Sequence, residues 1–287
     1  MLLTIALAAM AVLDPPPKAK VELLSEMTTL VAGETNTLGL QFRIDKEWHL
    51  YYASQNDTGF PPTIESATLP EGFTLGPIQW PVPTRHVSNG DLLDHIYENE
   101  VTLLLPVRVP TDATGPATIS LTLDWLVCKE VCLMGGQTVT LTLPVSKERT
   151  PAEVTKGVFA RARQAMPRPA SEAESRVGMK WDNGRLVLSA RPPTAGAGDG
   201  DTRPPARVEF YPSADSVPIV DLLHAGVSET GEITLEVGDT AGSVRGMLAI
   251  FPKPKDQPIV FAVDRAVPVR GNSEPTRSSD QQPPSGR

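Results

Sequence analysis

Ile119-Ser120-Leu121-Thr122-Leu123-Asp124-Trp125-Leu126-Val127-Cys128-Lys129-Glu130-Val131-Cys132-Leu133-Met134-Gly135-Gly136 decides how this chain is read. Ile119, Leu121, Leu123, Trp125 and Val127 alternate with Ser120, Thr122 and Asp124, the period-2 pattern of a half-buried strand. Cys128 follows Leu126 on the opposite face. Val139, Leu141 and Leu143 repeat the alternation on the way back, so residues 128–136 read as the connection of a hairpin. That connection holds both cysteines of the 287-residue chain.

Four-residue spacing constrains what these cysteines can do. In an extended strand their α-carbons would lie about 13 Å apart, beyond the roughly 4.4–6.8 Å a disulfide spans. A helical turn brings them to about 6 Å. The pair therefore bonds only if the chain curls after Val127, with Gly135-Gly136 supplying freedom for the return. A disulfide closing so short a loop removes little chain entropy and makes a poor staple. Short strained loops also tend to be more reducible, and both points favour redox chemistry over a structural bridge. Lys129 favours a thiolate at Cys128, whereas Asp124 and Glu130 oppose it. Three other readings stay open: an inert surface disulfide, two buried thiols, or a Cu(I) site of Cys128, Cys132 and Met134. Zinc lacks two of its four ligands here.

Outward from the hairpin, the pattern stays β. Residues 20–27, 37–44 (Leu38, Leu40 and Phe42 on one face), 48–52, 78–83 and 101–109 read as strands or extended segments, and residues 54–62 as a polar loop. Thr150-Pro151-Ala152-Glu153 has the form of a capping box, and Val154, Val158, Ala162 and Ala165 keep helical spacing until Pro167. Beyond this helix, residues 186–190, 207–211, 233–237, 247–251 and 259–263 predict a small sandwich. The expected plan is all-β: a sandwich over 20–147, a linker helix within 148–168 and a second β domain over 177–269. A Gly/Pro/Asp-rich insertion spans 192–205, and a polar tail, expected to be disordered, spans 271–287.

Composition narrows the function. Hydrophobic residues make up 40% and charged residues 21%, a globular balance, and 29 prolines with 22 glycines imply many turns. A net charge of −8 argues against nucleic acid as partner. Residues 1–13 are apolar and uncharged, too short for the roughly 20 residues of a membrane span, but suited to a secretory signal with Ala9-Met10-Ala11 at its end. Export would place the cysteines where disulfides persist. His49, His86, His95 and His224 show no metal spacing and read as surface or hydrogen-bonded residues; Trp48, Tyr51, Tyr52 and Trp80 read as core. No Ser-His-Asp order or phosphate-binding glycine loop stands out.

Several pieces resemble the N-terminal periplasmic domain of the thiol:disulfide interchange protein DsbD family, in particular its ScsB-like branch. They are Trp48-His49-Leu50-Tyr51, Gly59-Phe60-Pro61-Pro62-Thr63, Leu69-Pro70-Glu71-Gly72, Trp80-Pro81-Val82-Pro83, Tyr97-Glu98-Asn99-Glu100-Val101 and Trp125-Leu126-Val127-Cys128-Lys129-Glu130-Val131-Cys132, in family order. The resemblance implies an immunoglobulin-like β-sandwich whose cysteines, Cys128 and Cys132, exchange disulfides in the periplasm. It also implies a shielding loop, matched here by residues 56–60, so Asn56, Phe60 and Lys129 join the candidate site. The better-studied members space their cysteines more widely.

The implied role is a relay of reducing equivalents from a thioredoxin-like or membrane-embedded thiol reductase to disulfide-bearing periplasmic substrate proteins. It needs neither metal nor other cofactor. The chain has no membrane segments and no C-x-x-C of its own, so its reductant is expected to be a separate protein. The alternative is a non-catalytic module that docks a redox partner or binds Cu(I).

Overall fold

The computed structural model describes residues 17–173, 176–191, 207–238, 240–253 and 256–268. The signal-like segment, the 192–205 insertion and the 271–287 tail lie outside the described residues. Strands dominate, in two sandwiches of two sheets each.

The hairpin read from the sequence is the spine of the first sandwich. Strands Pro116–Cys128 and Cys132–Ser146 pair antiparallel from Pro116 opposite Pro144 to Cys128 opposite Cys132. Ala117, Ile119, Leu121, Leu123, Trp125 and Val127 all point into the core. On the other face Thr118, Ser120 and Thr122 meet Thr142, Thr140 and Thr138 through hydroxyl bonds of 2.9, 3.0 and 3.0 Å. Each such cross-strand pair adds roughly 0.2–1 kcal/mol. The return strand starts at Cys132, so the connection is only Lys129-Glu130-Val131, not residues 128–136. Gly135 and Gly136 do not turn. They lie in the ladder opposite Trp125 and Asp124, where a Cβ on Gly135 would fall 2.3 Å from the indole Nε1.

Beside this hairpin the sheet continues through His49–Tyr51, Leu92–Glu98 and Thr84–Ser88. The facing sheet runs Ala19–Ser25, Thr35–Ile44, Glu100–Arg108, Thr74–Leu75. Leu38, Leu40 and Phe42 fill the space between the sheets, as their alternation predicts. Leu104 is also buried, although it points away from that core, because the helix Glu153–Gln164 covers it with Phe159 and Ala162. Gly39, opposite Leu104, makes room: a Cβ there would sit 3.1 Å from the Phe159 ring. Burying Phe159 contributes on the order of 2–3 kcal/mol.

The capping box does not form. Met27 bridges Pro151, and the Ala152 amide donates to the Glu26 carbonyl at 3.0 Å, so residues 150–152 are extended by strand-like pairing. The helix starts at Glu153 with Ala152 as its N-cap, without a side-chain cap. Val154, expected on the apolar stripe, is 93% exposed; Phe159 takes its place.

In the second sandwich one sheet runs Val177–Asp182, Arg185–Ala190, Glu232–Val237, Ile219–Val220 and the other Val227–Ser228, Arg207–Pro212, Ser243–Phe251, Ile259–Ala266. The latter sheet is buried on both faces. Val208, Phe210, Leu248, Ile250 and Phe261 enter its own core, while Tyr211, Met247, Ala249 and Val260 join the core of the first sandwich.

A buried histidine marks this junction. Ser54 gives its one hydroxyl proton to the Pro212 carbonyl at 2.6 Å, so at 2.9 Å it must accept from Nδ1–H of His95. The ring lies edge-on to Tyr211 at 5.2 Å, and Nε2 has no hydrogen-bond partner among the described residues. Burial, with a smaller push from the Arg85 charge, lowers the His95 pKa to about 3. Between the unfolded value near 6.5 and about 3, the unfolded chain binds a proton that the native state refuses. Stability is therefore expected to fall as pH drops through that window, by about 2 kcal/mol at pH 5 from this group. Urea midpoints at pH 7.5 and 5 measure it; His95→Asn, which keeps a donor toward Ser54, should flatten the dependence.

Candidate active site

Cys128 and Cys132 are the last cross-strand pair of the hairpin, bonded to each other with Cα atoms 4.1 Å apart. The curl the spacing demands is a three-residue reversal, braced by Lys129 N–H donating to the Val131 carbonyl at 3.1 Å. A hairpin end places residues i and i+4 opposite each other, which neither an extended strand nor a helical turn does.

The two sulfurs have different surroundings. Cys128 is 2% exposed, packed with Tyr51, Ile96 and Leu126 on the outer face of the sheet. Cys132 is exposed. Around it stand Val131 and Met134, 61% and 65% exposed.

His49 lies opposite Cys128 in the register. From it a hydrogen-bonded chain runs across the sheet, and its direction follows from counting protons. Asp94, almost fully buried, only accepts: from the Thr58 hydroxyl at 2.6 Å and the Thr58 amide at 3.0 Å. Thr58 has then spent its proton, so Tyr51 donates to it at 3.1 Å. Tyr51 in turn accepts from His49 Nε2–H at 3.2 Å. Burial lowers the His49 pKa, helped by His86 (ring centroids 5.4 Å apart) and opposed by Asp94. The imidazole is thus held neutral with its proton on Nε2. Burial likewise raises the Tyr51 pKa.

The loop over this face is an excursion from an otherwise continuous edge. Strand His49–Tyr51 pairs with Pro116–Cys128 at residues 127–128, and Thr63–Thr68 takes up the same edge from Asp124. Residues 52–62 leave and return between these points. Gly59 lies flat on the Tyr51 ring; a Cβ there would be 2.2 Å from Cζ, so only glycine fits. Asn56 pins the loop: its amide donates to the Tyr52 carbonyl at 2.9 Å, and its oxygen accepts from the His95 amide at 2.9 Å. Phe60, at 45% exposure, stands in the same loop. Lys129 sits at the hairpin tip with its ammonium on Glu47 at 2.9 Å, and this contact raises its pKa.

The structure therefore gathers Cys128, Cys132 and Lys129 in one turn and places Asn56 and Phe60 in the loop beside Tyr51. The sequence reading missed His49, Tyr51 and Asp94 as site neighbours and held Thr58 only as part of residues 56–60; the alternation His49-x-Tyr51 one strand away was the available signal. Among the described residues no group of three or more His, Cys, Asp or Glu side chains is placed to hold a metal ion. No described helix is long and apolar enough to cross a membrane.

Comparison with known proteins gives a consistent picture. No curated protein sequence matches the chain. Among solved structures, the N-terminal periplasmic domain of ScsB from Proteus mirabilis is similar over 91% of this chain and 96% of its own, with a TM-score of 0.55 and 14% identity. That likeness is one of fold, and it spans both sandwiches. The DsbD N-terminal domain of Neisseria meningitidis, in its reduced form, aligns with 49% of this chain and 96% of its own at 17% identity and a TM-score of 0.31. Residues 20–144, under half of the chain, match the family described as thiol:disulfide interchange protein DsbD, N-terminal. The first sandwich, cysteine hairpin included, is the part of the chain that matches the DsbD N-terminal domain family.

Proposed function

We propose that this protein is an exported thiol–disulfide exchange protein that passes reducing equivalents through Cys128 and Cys132. The observation that carries this reading is the asymmetry of the pair: one sulfur open to a partner, the other covered a few ångströms away. A five-residue disulfide loop stabilises by only about 2 kcal/mol on the chain-entropy account, against about 5 for a 100-residue loop, so a staple is a weak explanation.

In the reducing direction Cys132 is the attacker. Its thiolate bonds to one sulfur of a substrate disulfide, and the other substrate sulfur leaves with the electron pair. Cys128, once deprotonated, attacks Cys132, expels the second substrate sulfur as thiolate and restores the Cys128–Cys132 bond. The substrate gains two electrons and the pair loses two. A thioredoxin-like or membrane-embedded reductase would recharge the pair by the reverse steps, meeting Cys132 first. The apolar side chains Val131, Met134 and Phe60 offer such partners a contact rim. Lys129, neutralised by Glu47, does little to select Cys128 as attacker. The test is the equilibrium of the pair with a glutathione redox series.

A further inference from the structure

The loop at residues 52–62 is held from two sides, and one of them is the second sandwich. The Ala214 amide donates to the Ala53 carbonyl at 2.9 Å. Ser54 donates to the Pro212 carbonyl at 2.6 Å while accepting from His95. The Gln55 amide reaches the carbonyls of Ser216 and Val217 at 3.1 and 3.3 Å. The next three residues turn to the first sandwich. Asn56 binds the His95 amide, Asp57 accepts from the Leu93 amide at 2.6 Å, and Thr58 holds Asp94. Gly59 then lies on Tyr51, whose ring packs on Cys128. A continuous path of contacts thus runs from residues 212–217 through 53–55 and 56–59 to the covered sulfur.

We propose that the second sandwich is a positioning element of the exchange site: through Ser54 and Gln55 it holds the loop on Tyr51, and so keeps Cys128 covered and slows opening of the disulfide. Each direct contact from residues 212–217 in this path lands on residues 53–55, one step before the segment that touches Tyr51. Gln55 donates to two carbonyls that no side-chain substitution in the second sandwich can supply or remove, so the hold is read most cleanly at Gln55 itself. The proposal rests on reading Cys128–Cys132 as an exchange site, but its test uses a small thiol and needs no protein partner.

The experiment compares full-length wild type, Gln55→Ala and Gln55→Glu, the last setting a carboxylate against two carbonyl oxygens. Arg85→Met is the control, because Arg85 also crosses the junction, to the Leu223 carbonyl, without bonding to the loop. Two quantities are read: hydrogen exchange of amides 53–60, and the second-order rate of disulfide reduction by dithiothreitol. In that reaction the reagent's thiolate bonds to exposed Cys132 and breaks the disulfide, and Cys128 leaves as a thiolate, which gains solvent only as the loop lifts from Tyr51; the reagent's second thiol then frees Cys132, giving cyclic dithiothreitol and two protein thiols. Gln55→Ala is expected to lose protection over residues 56–59 and to be reduced roughly fivefold to tenfold faster, the low end of what loss of two hydrogen bonds implies. Gln55→Glu should exceed it, and Arg85→Met should match wild type. Unchanged reduction rates in both Gln55 variants would overturn the proposal. So would an Arg85→Met rate raised as much as that of Gln55→Ala, since general loosening of the junction would then explain the effect. If the small-thiol kinetics behave as expected while no protein disulfide ever exchanges, the relay reading fails and the positioning role stands.

Discussion

Reduced Cys128→Ser protein is expected to react with thiol reagents and with oxidised glutathione at the rate of an accessible thiol, whereas reduced Cys132→Ser should be slower by roughly 100-fold. Cys132 stands at the surface beside exposed Val131 and Met134; Cys128 lies under Tyr51 and Ile96 with 2% of its area accessible. A reagent reaches Cys128 only when the Tyr51 face opens, and a local opening that costs about 3 kcal/mol is populated less than one part in a hundred. Mixed disulfides should therefore accumulate on Cys128→Ser, which has lost its resolving thiol. Alkylation rates at several pH values separate accessibility from thiol acidity, because only the acidity contribution varies with pH. Equal plateau rates for the two variants would contradict the assignment of Cys132 as attacker.

Gly135→Ala is expected to destabilise the protein by about 3 kcal/mol, near the top of the range for overpacking a closed site. The added methyl would lie 2.3 Å from Trp125 Nε1 and 2.5 Å from Cε2. The indole cannot give way: it is 1% exposed and meets Phe42 edge-to-face, with centroids 5.3 Å apart. Either Trp125 leaves its place in the core or the hairpin strands part beside the cysteines. Urea unfolding followed by tryptophan fluorescence measures the loss. Gly157→Ala is the matched control, since its helix site is exposed with the nearest atom, Arg161 Nη1, at 3.5 Å. Alanine there should stabilise by about 0.5–1 kcal/mol. A Gly135→Ala midpoint equal to wild type would mean that the indole does not lie across the glycine.

Gly135 also shows where sequence reading stops. A Gly-Gly pair after a strand reads as a turn, yet here it serves a tryptophan on the neighbouring strand, a contact that no local pattern reveals. The most legible element had one face in the core and the other toward water, residues 117–127 by strict alternation; Leu38, Leu40 and Phe42 were legible too, although Gly39 and Gln41 on the other face of their strand are also buried. Leu92–Glu98 escaped notice because Asp94 and His95 interrupt its apolar run. Both are buried polar residues, one receiving Thr58 and the other giving a proton to Ser54. Thr63–Thr68 was missed for the opposite reason, being a largely exposed edge with little to bury. Asn183-Gly184, both with positive φ, closes the hairpin Val177–Asp182 to Arg185–Ala190 and was a readable turn signal. The capping box at residues 150–153 was a valid local pattern overruled by pairing with residues 26–28.

For the site, Cys128 and Cys132 were visible as the two cysteines of the chain, and the resemblance supplied residues 56–60. Tyr51, Thr58 and Asp94 come from three separate segments, so their convergence became visible only with the fold. The difference in exposure between the two sulfurs was hidden for the same reason, since it depends on Tyr51 and Ile96 from neighbouring strands.

The central claim, that this disulfide turns over rather than staples, is tested most directly by its reduction potential in a glutathione series at pH 7. An exchange site is predicted to equilibrate between about −270 and −120 mV, the span of redox-active pairs from thioredoxin to strongly oxidising proteins. A value below about −300 mV, where structural disulfides lie, would contradict the account.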